Sequence, residues 1–317
     1  MNVISASAIS HVAVETADLD RARDFYVRIL GTPAAFAPAW GDAGAEACRL
    51  VSGQHLILVP AAKPRTFADT GVHVAYRAAP GAIADITAQA AAAGMAMHRY
   101  VEDRPAEVTD NVYLADPDGN RIQLVADATS ASGSDGGIGG IDHTAVLVSD
   151  IEWADDFWVD SLGLTAVHRV GWNTGDFARA RAWAEGKEDM APGTRRWDQR
   201  YRDIPGGKPG QGRKVARPNP QLFVDFGGGK GGNGGGPVVA IFLAQAHVQE
   251  PPPDLARGTP RTALQVADES LDTIAAALAK AGGRVEGPVV HGTGAPVRRS
   301  LYLRDVCGVF FEFCSNA

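Results

Sequence analysis

Residues 9–31 read ISHVAVETADLDRARDFYVRILG, and residues 141–163 read IDHTAVLVSDIEWADDFWVDSLG. An ungapped offset of 132 residues, which carries His11 onto His143, also superposes an Asp, a Phe and the closing Gly of the two segments. Self-similarity at a fixed offset indicates a fold assembled from copies of one supersecondary unit. The two segments are therefore predicted to have the same structure.

A second repeat lies near the end of each half of the chain. Residues 111–125 read NVYLADPDGNRIQLV, and residues 300–314 read SLYLRDVCGVFFEFC. An offset of 189 residues carries Gln123 onto Glu312. Both segments place an Asp and a Gly between two strand-like stretches, which is typical of paired strands joined by a tight turn.

The two repeats define one order of elements that occurs four times. A strand with alternating apolar residues comes first, an amphipathic helix follows, and further strands close each copy. We therefore predict an α+β fold of four tandem βαβββ modules that pair into two cupped, mixed-sheet half-barrels. The modules are expected at about residues 8–61, 70–127, 140–247 and 260–315.

Composition divides the modules between two predicted domains. Residues 129–139 are rich in Ser and Gly, cannot pack a core, and are predicted to be a linker. The first domain is then 1–128 and the second is 140–317. The third module also carries a polar, Gly- and Arg-rich insertion at about 171–220, and insertions of this length are typically lids or disordered loops.

Charge and composition exclude several classes of partner. The formal net charge is −7, which argues against binding to nucleic acid or to an anionic membrane surface. No stretch approaches the ~18 apolar residues of a membrane helix. Three Cys are too few for a disulfide framework, and the N-terminus lacks the basic and apolar regions of a signal peptide. We expect a cytoplasmic protein.

The two H-x6-D-x6-F-[YW]-x3-LG segments and the two YLxD…G…[QE] strands resemble the vicinal oxygen chelate superfamily. This superfamily includes glyoxalase I, bleomycin-resistance proteins, fosfomycin-resistance enzymes and extradiol dioxygenases. The resemblance covers nearly the whole chain except the insertion. It implies that paired modules hold a divalent metal through residues of their first and last strands. Four modules in one chain resemble the extradiol dioxygenases most.

The resemblance assigns the metal positions residue by residue. They are His11, His73, Gln123, His143 and Glu312. Imidazole, amide and carboxylate donors suit Fe(II), which we favour, and also Mn(II), Zn(II) or Ni(II). The last strand of the first module offers only an apolar residue, Ile57, and that of the third offers nothing better than Gln245.

The choice of module pairing changes the ligand sets. Pairing within each half gives His11, His73 and Gln123 in the first set, and His143, Thr262 and Glu312 in the second. Pairing module one with four gives His11, Thr262 and Glu312, whereas pairing two with three gives His73, Gln123 and His143. The register at Thr262 is open by one residue, because Arg261 stands beside it.

Other roles remain open for several of these residues. The repeated His side chains are also compatible with hydrogen-bonded core positions that bind no metal. Glu312 lies in the apolar stretch FFEFC, so a metal, Arg261 or a proton must neutralise it. Tyr113 and Tyr302 match by the second repeat; they are predicted to pack the sheet, and a phenol near a metal can also act as a catalytic acid or base.

These assignments predict a metal-dependent enzyme for a small substrate with vicinal oxygens. Our preferred reaction is ring cleavage of a catechol-type compound by an extradiol dioxygenase. Two alternatives are a metal-free small-molecule binding protein of the bleomycin-resistance type and a glyoxalase- or epimerase-like isomerase, for which Glu312 is the candidate base. Sheet edges at the module seams are compatible with a homodimer.

Overall fold

The computed structural model of the protein describes residues 3–67, 71–100, 111–129, 137–172, 174–187, 201–203, 206, 220–227, 236–243 and 254–317. The first module comprises β1 (Ala8–Thr16), α1 (Leu19–Arg28), β2 (Phe36–Pro38), β3 (Glu46–Arg49) and β4 (His55–Pro60). The second comprises β5 (His73–Ala78), α2 (Pro80–Ala92), β6 (His98–Tyr100), β7 (Asn111–Ala115) and β8 (Arg121–Ala126).

The second half repeats this order. The third module comprises β9 (Gly140–Val148), α3 (Ile151–Asp155) continued by a π-helix (Asp156–Ser161), β10 (Thr165–Val170), α4 (Thr174–Ala184), β11 (Tyr201–Asp203), β12 (Gln221–Asp225) and β13 (Val238–Leu243). The fourth comprises β14 (Arg261–Gln265), a 3-10 turn (Asp268–Ser270), α5 (Leu271–Lys280), β15 (Arg284–Val290), β16 (Val297–Arg304) and β17 (Phe310–Asn316). The predicted α+β fold of βαβββ modules is confirmed.

The helix boundaries follow from the repeated residues. The Asp18 carboxylate accepts a hydrogen bond from the backbone N–H of Arg21, and Asp150 caps α3 in the same way. Each cap satisfies amide groups that have no partner within the helix. Gly31 and Gly163 follow the helices with φ of 65° and 72°, a left-handed conformation that glycine adopts without steric strain.

The chain divides into two compact units. Unit one contains residues 1–12, 143–192 and 215–317, and unit two contains residues 13–142 and 193–214. In unit one the strand orders are β15-β16-β17-β14-β1 and β10-β12-β13-β9. In unit two they are β1-β4-β3-β2 and β5-β8-β7-β6-β11. Within the modules, β5–β8, β9–β13 and β14–β17 are parallel pairs and the other registered pairs are antiparallel, so the sheets are mixed.

Unit one differs from the second predicted domain, since it includes residues 1–12 with the start of β1 and excludes residues 140–142 and 193–214. The Ser7 N–H, directly before β1, donates to the Gln265 carbonyl over 2.9 Å, which holds the start of β1 beside β14. The predicted linker lies partly outside the described residues. So does most of the insertion, in which α4 is the one described helix, and its role as a lid stays a prediction. No helix in the described part of the chain is long and apolar enough to cross a bilayer.

In each unit, one hydrogen bond joins a residue of the first sequence repeat to a residue of the second. In unit two the Tyr26 hydroxyl donates to Asp116 Oδ2 over 3.2 Å. In unit one the Trp158 indole N–H donates to Asp305 Oδ2, also over 3.2 Å. The other oxygen of each Asp accepts two backbone N–H groups of its own tight turn. One carboxylate therefore closes the turn and also anchors the helix of the preceding module.

Aromatic packing surrounds this anchor in unit one. The Trp158 ring makes edge contacts with Phe226 and Phe311, each at 4.9 Å between centroids. All three side chains are fully buried. Because neighbouring strand residues point to opposite faces, Phe311 faces this helix-side core while Glu312 faces the other side of β17.

The buried Asp305 predicts a pH-dependent stability. Burial raises the pKa of Asp305 to about 6, although backbone N–H groups of Val309 and Cys307 and the Trp158 indole oppose the rise. A raised pKa stabilises the fold below the unfolded value of about 3.9, and this stabilisation is lost as pH rises through about 6. Relative to Asp305→Asn, the wild type should lose about 2 kcal/mol of unfolding free energy between pH 4 and pH 7.

Urea denaturation across this pH range measures the difference. The exposed Asp254 supplies the control, since Asp254→Asn should leave the pH dependence of the wild type unchanged. Parallel pH profiles for the wild type and Asp305→Asn would contradict the raised pKa.

Candidate functional site

The strand registers fix which residues occupy equivalent positions in the modules. In module two, Ala75 of β5 pairs with Gln123 of β8, and His73 lies two residues before Ala75. In module four, Ala263 of β14 pairs with Glu312 of β17, and Arg261 lies two residues before Ala263. Arg261 is therefore the counterpart of His73.

The sequence left the register at Thr262 open by one residue, and the β14–β17 pairing places Arg261, not Thr262, at this position. Adjacent strand residues point to opposite faces. The Thr262 hydroxyl accordingly donates to the Thr144 hydroxyl of β9 over 3.0 Å instead of approaching Glu312.

Arg261, Glu312, His11 and Ser300 form a buried group in unit one, which we call the Glu312 cluster. Glu312 Oε2 accepts a hydrogen bond from Arg261 Nε over 2.9 Å and lies 3.1 Å from His11 Nε2. Glu312 Oε1 accepts the Ser300 hydroxyl over 2.6 Å. None of the four residues is more than 3% exposed. Both carboxylate oxygens are thus engaged, one of them by a permanent cation.

Further contacts hold the cluster in place. His291 Nε2 lies 2.7 Å from the Ser300 hydroxyl oxygen. Because the single Ser300 proton goes to Glu312, which accepts only, His291 must donate through Nε2. The second guanidinium branch of Arg261 donates to the Gly258 carbonyl over 2.9 Å. The cluster thereby connects β1, β14, β16 and β17.

Tyr302 lies beside the cluster. It pairs with Glu312 across the β16–β17 ladder and is fully buried. The guanidinium carbons of Arg257 and Arg261 lie 4.2 and 5.1 Å from the centre of its ring. Cation–π contacts of this kind stabilise both partners in a desolvated site.

The surroundings control the ionisation of Glu312. Burial alone would raise its pKa, but the charges of His11 and Arg261, with the hydrogen bonds from His11 and Ser300, hold the pKa well below its ordinary value. A depressed pKa contributes stability that is complete above the unfolded value of about 4.3 and is lost only as pH falls below it. Glu312 is therefore a carboxylate at neutral pH and a weak proton acceptor.

The Glu312 cluster does not fit a divalent metal as it stands. Ligand atoms of His11, Glu312 and Cys314 do lie within 4.8 Å of one another. However, burial and the Glu312 charge raise the pKa of the Cys314 thiol well above its ordinary value, which disfavours the thiolate that metals bind. A dication would also have to break the Arg261–Glu312 pair and leave a buried guanidinium unpaired, which is strongly destabilising.

Module two presents a different arrangement. His73 Nδ1 lies 2.8 Å from the Gly71 carbonyl oxygen, so Nδ1 carries the proton and Nε2 carries the lone pair. The Gln123 amide nitrogen donates a hydrogen bond to Asn111 Oδ1 over 3.1 Å. This bond fixes the orientation of the Gln123 carbonyl oxygen, the atom of this side chain that can bind a metal. His73 and Gln123 share one face of the β5–β8 pair. An imidazole whose second nitrogen bonds a carbonyl is the usual form of a metal-binding His, so these two residues fit a metal.

Two further side chains border His73. The Tyr113 ring meets the His73 ring edge-on at 5.8 Å, and Tyr113 pairs with Gln123 across the β7–β8 ladder. The Arg121 guanidinium lies 4.7 Å from the centre of the Tyr113 ring. Module two thus combines two neutral ligand atoms, a phenol and a positive charge.

Modules one and three have no side chain that can bind a metal at the corresponding position of their last strands, among the residues that the structure describes. Ala240 pairs with Ala145, two residues after the half-buried His143. Ile57 packs with Ala13, two residues after His11. Neither Ala240 nor Ile57 can bind a metal. Gln245 lies outside the described residues.

Sequence reasoning identified neither Ser300 nor His291 as a site residue. The second repeat contained the signal for Ser300, because the offset of 189 residues carries Asn111 onto it. Asn111 bonds Gln123 in module two just as Ser300 bonds Glu312 in module four. No repeat partner exists for His291, so only the fold reveals its contact with Ser300.

Comparison with known proteins agrees with the fold. The family profile of the Glyoxalase/Bleomycin resistance protein/Dioxygenase superfamily matches residues 8–124. A putative dioxygenase from Bacillus subtilis subsp. subtilis str. 168 is 15% identical with a TM-score of 0.57, covering 99% of this chain and 86% of its own. Glyoxalase I from Zea mays is 15% identical with a TM-score of 0.55, covering 98% of this chain and 92% of its own. A search of curated protein sequences finds no match.

The buried pair predicts strong energetic coupling between Arg261 and Glu312. Arg261→Met or Glu312→Gln alone should each cost about 3–5 kcal/mol of unfolding free energy, because each leaves an uncompensated buried charge. The double variant should lose far less unfolding free energy than the sum of the losses in the two single variants. Urea denaturation of the four proteins measures the coupling.

An exposed pair in the same unit supplies the matched control. Arg299 lies 3.1 Å from Asp272, whose side chain is 71% exposed, so their coupling should be at most about 1 kcal/mol. A coupling between Arg261 and Glu312 no larger than this would contradict the buried ion pair.

Proposed function

Because the family model of the Glyoxalase/Bleomycin resistance protein/Dioxygenase superfamily matches residues 8–124, we propose that the chain is a metal-dependent enzyme acting on a small molecule with two adjacent oxygen atoms. The metal would be held through His73 Nε2 and the Gln123 carbonyl oxygen. The observation that supports this most directly is the bond from His73 Nδ1 to the Gly71 carbonyl, which turns Nε2 toward a ligand role.

The proposed metal is divalent, with Fe(II) favoured and Mn(II), Zn(II) or Ni(II) as alternatives. Bound there, it would supply Lewis acidity and open positions for the two oxygens of the substrate. Gln123 carries no charge, whereas a carboxylate at this position would be negative. A metal bound beside Gln123 would therefore keep more of its positive charge, which would attract an anionic substrate. Arg121 adds to this attraction. Tyr113 borders His73 and is placed to orient the substrate or to exchange a proton with it.

Ring cleavage of a catechol-type substrate is the reaction we propose. It inserts both atoms of dioxygen into the product and therefore needs no external reductant. An isomerase of the glyoxalase type is disfavoured in the Glu312 cluster, because it requires a base and Glu312 is held as an engaged, weakly basic carboxylate. We further propose a cytoplasmic location, since the three buried Cys are free thiols.

A metal-free binding protein is the second candidate. It is favoured by the neutral amide of Gln123, which weakens metal binding, and by Arg261 at the corresponding position of module four. Such a protein would be stabilised by its ligand in the presence of a chelator. The two candidates differ in metal content.

Metal content of anaerobically purified protein tests the proposal. The wild type should hold about one Fe or Mn per chain, His73→Ala should hold none, and Gln123→Glu should bind at least about tenfold more tightly because it restores a negative charge. The exposed His168, in the control His168→Ala, should change nothing.

Wild-type protein that binds no metal when supplied with Fe(II), and whose stability a chelator leaves unchanged, would overturn the metal-dependent proposal. Metal retained in His73→Ala would overturn the assignment of the site to module two.

A further inference from the structure

We infer that Arg261 closes the Glu312 cluster against metal, so that the chain carries a latent metal-ligand set that a single replacement, Arg261→His, would open. This inference concerns unit one and does not depend on the activity proposed for module two. It departs from the metal positions that the sequence resemblance implies for His11 and Glu312.

Modules two and four place their first- and last-strand residues in equivalent positions. The β14–β17 and β5–β8 pairs have the same parallel register, in which the last-strand donor lies opposite the residue two places after the first-strand position. That first-strand position holds His73 in module two and Arg261 in module four. An imidazole at position 261 would therefore occupy the strand position that His73 occupies in module two, without a change of strand register.

Arg261 already supplies the positive charge that the buried Glu312 carboxylate needs. The Glu312 carboxylate is fully buried and requires a positive partner. Arg261 Nε supplies it at 2.9 Å on Oε2, the same oxygen that lies 3.1 Å from His11 Nε2. A dication at this oxygen would lie next to the guanidinium and be repelled by it. As long as Arg261 is present, the protein itself provides the cation.

Several potential metal-ligand atoms remain in the cluster when Arg261 is replaced. Ligand atoms of His11, Glu312 and Cys314 already lie within 4.8 Å of one another. Ser300 holds Oε1 at 2.6 Å and is itself held by His291, so Oε2 keeps its orientation when Arg261 is removed. Replacing the guanidinium by an imidazole would give two nitrogen donors and one carboxylate, with a thiol nearby.

Cobalt binding tests the inference in a background that lacks the proposed module-two site. All variants carry His73→Ala, and the probe is Co(II), followed by equilibrium dialysis and by visible d–d absorption. Arg261→His should bind about one Co(II) per chain and show the absorption of a protein-bound ion. Arg261→Met, which removes the charge without adding a donor, is the matched control and should bind at least about tenfold more weakly.

A third variant identifies the ligands. Adding Glu312→Gln to Arg261→His should weaken Co(II) binding at least tenfold. Circular dichroism checks folding, and each variant is also refolded with Zn(II), because a metal that replaces the lost cation should raise the melting temperature of Arg261→His and leave that of Arg261→Met unchanged.

Two results would overturn the inference. One is Co(II) binding by the His73→Ala protein with Arg261 intact that disappears on Glu312→Gln, since Arg261 would then not exclude the metal. The other is an Arg261→His protein that binds no Co(II), or that does not fold even with Zn(II).

Discussion

The negative charge of Glu312 sits where water cannot reach it, on the opposite face of β17 from the aromatic core around Trp158. Taking a carboxylate out of water is costly unless a cation and hydrogen bonds replace the lost solvation. Arg261, His11 and Ser300 provide them from three other strands. The packing of unit one therefore depends on this ion pair, because no member of the cluster can change without leaving a charge or a donor unsatisfied.

The same ion pair separates two positions that the sequence repeat makes equivalent. Module two places neutral groups, His73 and Gln123, at the first- and last-strand positions, and module four places opposite charges there. Two neutral donors need a cation from solution, whereas Arg261 and Glu312 neutralise each other. A metal-compatible set in module two and a self-neutralised set in module four therefore differ by a few side chains at positions of the same strand register.

Much of this could be predicted from the sequence. The two repeats indicated the module order and the location of the Asp turns, because these features depend on local chemistry. The register of β14 could not be predicted to one residue, since Arg261 and Thr262 are equally compatible with an alternating strand. Glu312 was recognised as needing a partner, but choosing between a metal, Arg261 and a proton required the distance between the charges. His291 has no repeat counterpart, so its contact with Ser300 comes only from the fold.

The most direct test of this account is anomalous diffraction from crystals of the wild-type protein grown with Mn(II), recorded at wavelengths that locate the metal. The account predicts a peak within bonding distance of His73 Nε2 and the Gln123 carbonyl oxygen, and none beside His11 and Glu312. A peak between His11 and Glu312, with the Arg261 guanidinium moved away from the carboxylate, would contradict it.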